Sequence, residues 1–294
     1  MSGELPRRLL VAAVGVPTVI LLLWLGGWYL SVSVALLAAL GADELYRMAA
    51  RREIRAFRWP GTITAGGLVL LAGWFLDFSR FAPWAMAWTV ALLMGCLAAS
   101  VVRRGAGERP LSSVAVTVTG ALYAGLLLSF ALFIYALPAR EGWTGSPQSV
   151  WAGTFAVAFP VASTWVGDAS AYFVGTAVGR HKLAPSLSPG KSWEGSVAGF
   201  VGAGATAGVW HVLARPALPD FPLGLGVTIA VGALLGAGAL LGDLVESLLK
   251  REAGVKDSGT LFPGHGGVLD RLDALTFTLP LAYGLLILVS GALA

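Results

Sequence analysis

Long apolar stretches alternate with short polar ones along almost the whole chain. A helix needs about 20 apolar residues to cross the hydrocarbon core of a bilayer, so the pattern predicts about nine transmembrane helices. The chain is therefore predicted to be an all-α, polytopic integral membrane protein. The expected spans cover residues 9–25, 29–45, 62–76, 83–101, 111–137, 150–174, 195–213, 223–244 and 275–293.

Composition agrees with this interpretation. The 294 residues are 56% hydrophobic and only 12% charged, which excludes an ordinary soluble domain. The first apolar stretch is interpreted as a span rather than a cleavable signal, because it lacks a small-residue cleavage site and another span follows at once. The chain has one cysteine, Cys96, and three scattered histidines, which excludes a disulfide framework and argues against a zinc site built on His and Cys.

The basic residues predict the orientation of the helices. All but three of the 20 lysines and arginines fall in alternate loops, and the exceptions are Arg80, Arg140 and Arg215. By the positive-inside rule this bias places the N-terminus in the cytoplasm. The net charge of +4 is then explained by membrane topology and anionic lipid headgroups, and no nucleic-acid partner is expected.

The two halves of the chain differ in their polar content. In the first half, Asp43 and Glu44 lie beside Arg47 and are interpreted as an interfacial ion pair or as snorkelling groups. We therefore expect residues 1–149 to form structural, lipid-facing helices. Residues 150–294 are expected to form a catalytic transmembrane module with a polar site at the cytoplasmic face.

A polar segment from residue 247 to residue 273 interrupts the apolar pattern near the end of the chain. Asp270 and Asp273 are three residues apart and should share a face in the first turn of a helix that begins near Gly267. Helix capping would explain both carboxylates. However, Asp243 and Asp257 add carboxylates to the same zone, and carboxylate oxygens together with substrate phosphates are the ligands that Mg²⁺ prefers. Nearby cations suit phosphate binding: Lys250, Arg251, Lys256 and Arg271.

Further polar groups lie upstream. Asp168, Asp243 and Glu246 occupy otherwise apolar helices, where a charge is costly unless it has a partner, so either helix packing or contact with a metal or substrate would account for them. The loop with Ser188, Lys191 and Ser192 is suited to phosphate binding at a helix start. It is also consistent with an ordinary helix entry in which Ser192 is the N-cap. Carboxylates and cations at a membrane surface indicate phosphoryl or nucleotidyl transfer onto a lipid.

Two other classes of membrane protein share some of these features. An ion-coupled transporter would also carry intramembrane aspartates such as Asp168 and Asp243, together with glycine-rich helices. Its ionisable groups should lie near the midplane in both halves, whereas the polar residues here collect at one face. A CDP-alcohol phosphotransferase would carry an Asp-Gly-x-x-Ala-Arg motif, which the sequence lacks.

The polar segment resembles the signature of the phosphatidate cytidylyltransferase (CDP-diacylglycerol synthase) family. The resemblance rests on its residues and their gaps: Ser247, Lys250-Arg251, Lys256-Asp257, His265-Gly266-Gly267, Asp270-Arg271 and Asp273. The segment from Ser188-Pro189 to Trp193-Glu194-Gly195 resembles a second motif of that family. One departure is Gly190, where the family often has a lysine, and it puts one phosphate contact in doubt.

The resemblance implies transfer of a cytidylyl group from CTP to phosphatidic acid, giving CDP-diacylglycerol and pyrophosphate. It also implies a Mg²⁺ cofactor, a second cation such as K⁺ in some members, a homodimer, and an active site on the cytoplasmic face of the cell's inner or plasma membrane. The implied metal ligands are Asp243 and Asp270, with Asp168 and Asp273 close by. The implied catalytic residues are Asp243, Lys256, Asp257, His265, Asp270 and Asp273, with His265 more suited to shaping the loop or contacting phosphate than to acting as a base. The implied substrate-binding residues are Ser188, Lys191, Ser192, Ser247, Lys250, Arg251 and Arg271.

Overall fold

Helices make up most of the computed structural model, which describes residues 4–144, 150–262, 264 and 266–291. His265 lies outside the described residues. The α-helices are α1 (Glu4–Leu25), α2 (Gly27–Ala50), α3 (Arg58–Phe75), α4 (Phe78–Arg103), α5 (Pro110–Ala121), α6 (Leu127–Arg140), α7 (Val150–Val178), α8 (Trp193–Ala214), α9 (Leu225–Ala253) and α10 (Leu269–Ser290).

Each predicted apolar stretch coincides with a helical region, although α9 ends nine residues later and α10 begins six residues earlier than predicted. A helix satisfies its own backbone hydrogen bonds, which is what an apolar segment without access to water requires. Within the described residues, six helical regions are long and apolar enough to cross a membrane, and the chain is accordingly an integral membrane protein. Nine crossings and a cytoplasmic N-terminus stay predictions. The six are Gly27–Ala50, Phe78–Arg103, Pro110–Arg140, Trp193–Ala214, Leu225–Ala253 and Leu269–Ser290.

The fifth predicted stretch is not one regular helix. A π-helical turn at Leu122–Leu126 separates α5 from α6. At this turn Gly125 lies directly against the backbone of α3, where a Cβ atom would come within 2.6 Å of Ala65 Cα. Single π turns inside helices are local insertions that apolar periodicity does not reveal.

The expected loop between α7 and α8 contains a small antiparallel sheet. Its strands are β1 (Lys182–Ala184) and β2 (Ser188–Ser192), with Lys182 opposite Ser192 and Ala184 opposite Ser188. Glu194 accepts a hydrogen bond from the backbone N–H of His181 at 3.2 Å. Its Oε1 also lies 2.6 Å from the ring Nδ1 of His181. The predicted loop thus contains a hairpin that the sequence did not indicate, since a five-residue strand rich in Ser, Pro and Gly carries no apolar alternation.

Contacts divide the chain into two compact units. Unit 1 comprises Met1–Phe133 and Leu249–Leu272, and unit 2 comprises Ile134–Leu248 and Asp273–Ala294. The last residues of α9 and the first residues of α10 therefore belong to unit 1. The functional division expected at residues 149 and 150 stays a prediction.

Tyr46 lies at the centre of the core of unit 1. Its side chain is fully buried, and its hydroxyl donates a hydrogen bond to the carbonyl of Thr117 at 2.7 Å. The ring fits between Gly61 of α3 and Gly120 of α5, because a Cβ atom at either glycine would overlap it. This contact ties α2 to both neighbouring helices.

In unit 2 the glycines of α9 allow two close helix contacts. Gly232 lies against α8, where its Cβ would come within 2.8 Å of the Ala203 carbonyl oxygen. Gly242 lies against α10, where its Cβ would come within 2.5 Å of the Asp273 carbonyl oxygen. Small residues at helix contacts are what allow membrane helices to approach this closely.

Candidate active site

Three carboxylates come together in unit 2. Asp243 and Glu246 lie three residues apart on α9, and therefore on one face of the helix. Asp273 reaches them from α10, and one carboxylate oxygen from each residue lies within 4.8 Å of the others. Glu246 is fully buried, and the other two are partly buried. Such a group of oxygen ligands has the size and chemistry to hold a divalent cation.

Lys191 lies at the edge of this group. It is the penultimate residue of β2, and its Nζ lies 2.6 Å from Oδ2 of Asp243. The hydroxyl of Ser247 donates to the other oxygen of Asp243 at 3.3 Å. The Asp168 carboxylate on α7 interacts electrostatically with Asp243 and Lys191. The structure therefore brings together several residues that the sequence singled out, and the hairpin is the element that positions the lysine.

Ser192 ends β2 and starts α8. Its buried hydroxyl accepts a hydrogen bond from the N–H of Gly195 at 3.1 Å, so the interpretation of Ser192 as the N-cap is confirmed. An N-cap serine satisfies one of the backbone donors that the first turn of a helix leaves open. Ser188 lies at the other end of β2 and is partly buried. Phosphate contacts by Ser188 and Ser192 stay predictions.

Asp270 is held by a separate set of donors in unit 1. Its Oδ1 accepts from Lys250 Nζ at 2.7 Å. Its Oδ2 accepts from the backbone N–H groups of Ser258 and Gly267 and from the Ser258 hydroxyl, each at 2.8 Å. The carboxylate therefore joins the end of α9, the following loop and the segment just before α10. Its role as a metal ligand stays a prediction.

Glu44 makes contacts in this region that the sequence did not indicate. Only 7% of it is exposed, and its carboxylate accepts from the N–H of Val268 at 2.9 Å and from the N–H of Leu269 at 3.0 Å. The Ser258 hydroxyl lies 2.9 Å from Glu44 Oε2, and its single proton is shared between Glu44 and Asp270. The neighbouring Asp43 behaves as expected, with ion pairs to Arg47 and Arg58. Among the residues that the structure describes, Glu44 forms no ion pair of that kind. An acidic residue at the end of an apolar helix carries no signal of a partner more than 200 residues away.

A cavity of about 550 Å³ also lies in unit 1, between α2 and the segment from Val255 to Leu261. Lys256 and Asp257 line it from the segment, and Arg47 and Arg51 line it from α2. Cavities of this volume are typical of small-molecule sites. Its lining of cations, carboxylates and backbone groups suits a ligand that is itself polar and charged.

Two further predicted residues, Arg251 and Arg271, lie at the surface of unit 1. Arg251 donates to the backbone oxygen of Val255 at 3.3 Å, and it is exposed. Arg271 is exposed in the first turn of α10. Their contacts with substrate stay predictions, and His265 cannot be placed because it falls outside the described ranges.

Comparison with known proteins decides the family. The model of the Cytidylyltransferase family matches residues 6–289, almost the whole chain. The chain belongs to this family. It is therefore an enzyme of the nucleotidyltransferase type, and family membership favours this function over ion-coupled transport.

Two relatives in this family cover the chain nearly end to end, and a third covers less than half of it. The phosphatidate cytidylyltransferase of Synechocystis sp. is 31% identical over 299 residues, which cover 96% of this chain and 97% of that protein. The phosphatidate cytidylyltransferase of Brucella melitensis is 33% identical over 284 residues, covering 96% and 93%. The Bacillus subtilis enzyme of the same name is 44% identical over 126 residues, covering 43% of this chain and 45% of its own length.

Proposed function

We propose that this cytidylyltransferase transfers the cytidylyl group of CTP to phosphatidic acid. An oxygen of the lipid phosphate attacks the α-phosphorus of CTP, and the bond from that phosphorus to the oxygen bridging to the β-phosphate breaks. The products are CDP-diacylglycerol and pyrophosphate. Two relatives that cover nearly the whole chain are phosphatidate cytidylyltransferases, and the carboxylate group beside Lys191 is the observation that supports this chemistry most directly.

The carboxylate group fits a magnesium ion. Mg²⁺ binds through one or two carboxylates together with substrate phosphates, and Asp243 and Asp273 supply carboxylates close enough to share one ion, with Glu246 beside them. When bound, the ion would neutralise negative charge on the triphosphate and on the departing pyrophosphate. Asp168 and Asp270 stay proposed contributors, and a second cation such as K⁺ stays a proposal from the family resemblance.

The chain itself would supply cations rather than a strong base. The second pKa of a phosphate monoester is about 6, so the lipid phosphate is already largely a dianion at neutral pH. The barrier is then the repulsion between two anions. Lys191 lies where it can hold a phosphate oxygen beside the carboxylate group, and positioned cations of this kind stabilise the charge that develops during transfer.

The cavity of unit 1 is proposed to receive a phosphate-bearing part of a substrate. Asp43 is neutralised by Arg47 and Arg58, and Glu44 is satisfied by backbone and hydroxyl donors. Arg51 and Lys256 are exposed cations of the same lining, and they can turn their charge towards an anionic ligand. The carboxylate of Asp257 in the same lining can accept hydrogen bonds from hydroxyl or amino groups of a nucleoside.

The membrane setting of the reaction is part of the proposal. The distribution of basic residues supports a site on the cytoplasmic face, and the family resemblance supports a homodimer and the inner or plasma membrane. The lipid substrate then reaches the enzyme from the bilayer and CTP from the cytoplasm.

The test compares the wild type with Asp243→Asn in detergent, measuring pyrophosphate release from CTP and phosphatidic acid with and without Mg²⁺. The wild type is expected to release pyrophosphate only with Mg²⁺, and the variant is expected to lose roughly a hundredfold or more in kcat, as when other electrostatic groups are removed from an active site. Asp220→Asn is the matched control, because Asp220 is an exposed aspartate of unit 2 that lies outside the carboxylate group. Normal turnover in Asp243→Asn would remove the carboxylate group from the reaction.

A further inference from the structure

Glu44 caps a helix from a distant part of the chain. The first N–H groups of a helix have no partner within it. In α10 these include the N–H of Leu269, which donates to Glu44 Oε2, while the preceding N–H of Val268 donates to Oε1. A carboxylate at this end of a helix is also favoured by the helix dipole. A residue of α2 therefore fixes where α10 begins.

Glu44 and Asp270 are linked through one side chain. The hydroxyl of Ser258 lies 2.9 Å from Glu44 Oε2 and 2.8 Å from Asp270 Oδ2. Asp270 in turn accepts from Lys250 at 2.7 Å. The chain of contacts thus runs from α2 through the loop after α9 to the lysine and aspartate expected at the active site.

Two glycines show how closely the loop fits around the Glu44 carboxylate. A Cβ atom at Gly259 would overlap Glu44 Oε1, and a Cβ atom at Gly267 would overlap both carboxylate oxygens. The adjacent Gly266 has φ of +80° and would overlap the Asp270 carboxylate in the same way. Gly266 and Gly267 therefore leave room for two carboxylates, that of Glu44 from α2 and that of Asp270 from α10.

We propose that Glu44 is a positioning residue for the cytidylyl transfer, an inference that rests on the proposed function. By holding Ser258 and the first turn of α10, it keeps Asp270 and Lys250 in the arrangement that the reaction needs. This assigns a role in the reaction to α2, which lies in the half of the chain expected to be structural. Small displacements of reacting or binding groups are costly for rate, so the loss should be seen in kcat.

The test uses the full chain in detergent and three variants. Glu44→Gln keeps the shape but places an amide among N–H donors, and its kcat for pyrophosphate release from CTP is expected to fall about tenfold or more, with the KM for CTP changing less than about threefold. Glu44→Asp keeps the charge on a shorter side chain and is expected to recover part of kcat. Tyr46→Phe is the matched control. It removes one buried hydrogen bond two residues further along α2, and it is expected to keep kcat within about twofold.

Hydrogen exchange supplies a readout that is independent of activity. The amides of residues 258–262 and 266–270 are expected to exchange faster in Glu44→Gln and at the wild-type rate in Tyr46→Phe. Should Glu44→Gln fail to fold, Gly259→Ala takes its place, since its new Cβ overlaps the Glu44 carboxylate, and the same faster exchange and lower kcat are expected.

The outcomes separate this inference from the proposed function. An inactive wild type with faster local exchange in Glu44→Gln would contradict the proposed function and leave the capping contact in place. An active wild type together with a Glu44→Gln variant that keeps kcat would overturn the inference alone. Equal losses of kcat and of thermal stability in Glu44→Gln and Tyr46→Phe would also overturn it, because the effect would then be general destabilisation.

Discussion

Asp270 and Asp273 show how differently two neighbouring aspartates can be used. Asp270 accepts from Lys250, Ser258 and Gly267 and so fixes a loop. Asp273 instead lies with Asp243 and Glu246 in the carboxylate group. The spacing of three residues predicted a common face and a common role, but the partners that each aspartate meets come from elsewhere in the chain.

Arg51 provides a test of the cavity at the level of one side chain. In Arg51→Gln we expect the KM of one substrate to rise about tenfold, because a hydrogen bond to a charged group contributes about 1.5 kcal/mol. Steady-state kinetics with CTP and phosphatidic acid varied separately would show which substrate places its phosphate there. Arg55→Gln is the control, since Arg55 is an exposed arginine close in sequence that does not line the cavity. Unchanged KM values for both substrates would exclude Arg51 from substrate binding.

Which residues come together was predictable from the sequence only in part. Asp243 and Asp273 could be singled out because a charge in an apolar helix needs a partner and because the signature resembles a known family. The role of Glu44 could not, since its partners Ser258 and Val268 are more than 200 positions away. Glu246 stood beside Asp243 in the sequence, but only the approach of α10 places it in the carboxylate group.

At the scale of elements, α9 carries the contacts on which the carboxylate group depends. Its glycines allow α8 and α10 to approach closely, and the Gly242 contact with the backbone of α10 lies next to Asp243 and Asp273. The distance between α9 and α10 therefore sets the distance between the carboxylates of Asp243 and Asp273. Helix packing here determines the geometry of the proposed metal site.

Gly242→Ala should disturb that geometry. Its Cβ would come within 2.5 Å of the Asp273 carbonyl oxygen and 3.1 Å of Ala274 Cα, and backbone atoms cannot yield as a flexible side chain can. We expect kcat to fall roughly ten- to a hundredfold, because a displacement approaching 1 Å is enough for such a loss. The unfolding temperature should fall as well.

The matched control for this change is Gly226→Ala. Gly226 lies on the same helix, and a Cβ atom there would have no neighbour within 4 Å. This variant should keep full activity and equal or slightly higher stability, since alanine favours a helix over glycine by about 1 kcal/mol. If both variants behaved alike in activity and thermal unfolding, the close approach of α9 and α10 would not matter for the reaction.

The elements themselves were largely predictable. A long apolar run is a local signal, and each predicted run coincides with a helical region. The β1–β2 hairpin and the π turn at Leu122–Leu126 were not predicted, because neither leaves a signal in the apolar pattern. The start of α10 at Leu269 agrees with the expected start near Gly267 to within two residues.

At the scale of the whole molecule, segments that are far apart in the sequence belong to the same compact unit. Unit 1 joins the first 133 residues to a segment of the polar region, Leu249–Leu272. Glu44 and its partners account physically for part of this association, because buried hydrogen bonds to a carboxylate are among the stronger ones. Sequence order alone assigned the N-terminal half a structural role, and nothing in the local pattern pointed to its contacts with the signature segment.

Family membership and membrane character together define the reaction to be tested. A cytidylyltransferase whose described residues include six helical regions suited to a bilayer is well placed to modify a substrate that is itself a lipid. The central claim is that the nucleotide moves, rather than the terminal phosphate, and that the acceptor is phosphatidic acid. These two statements can be separated by the position of a label.

The most direct measurement follows radioactive phosphorus from CTP into the lipid fraction. Purified protein in detergent is incubated with phosphatidic acid, Mg²⁺ and CTP labelled at either the α- or the γ-phosphate, and the other three nucleoside triphosphates serve as controls. The α-label of CTP is expected in a new nucleotide-bearing lipid, while the γ-label stays in the aqueous phase as pyrophosphate. Transfer of the γ-label to lipid, or no labelled lipid from folded protein, would contradict the assignment.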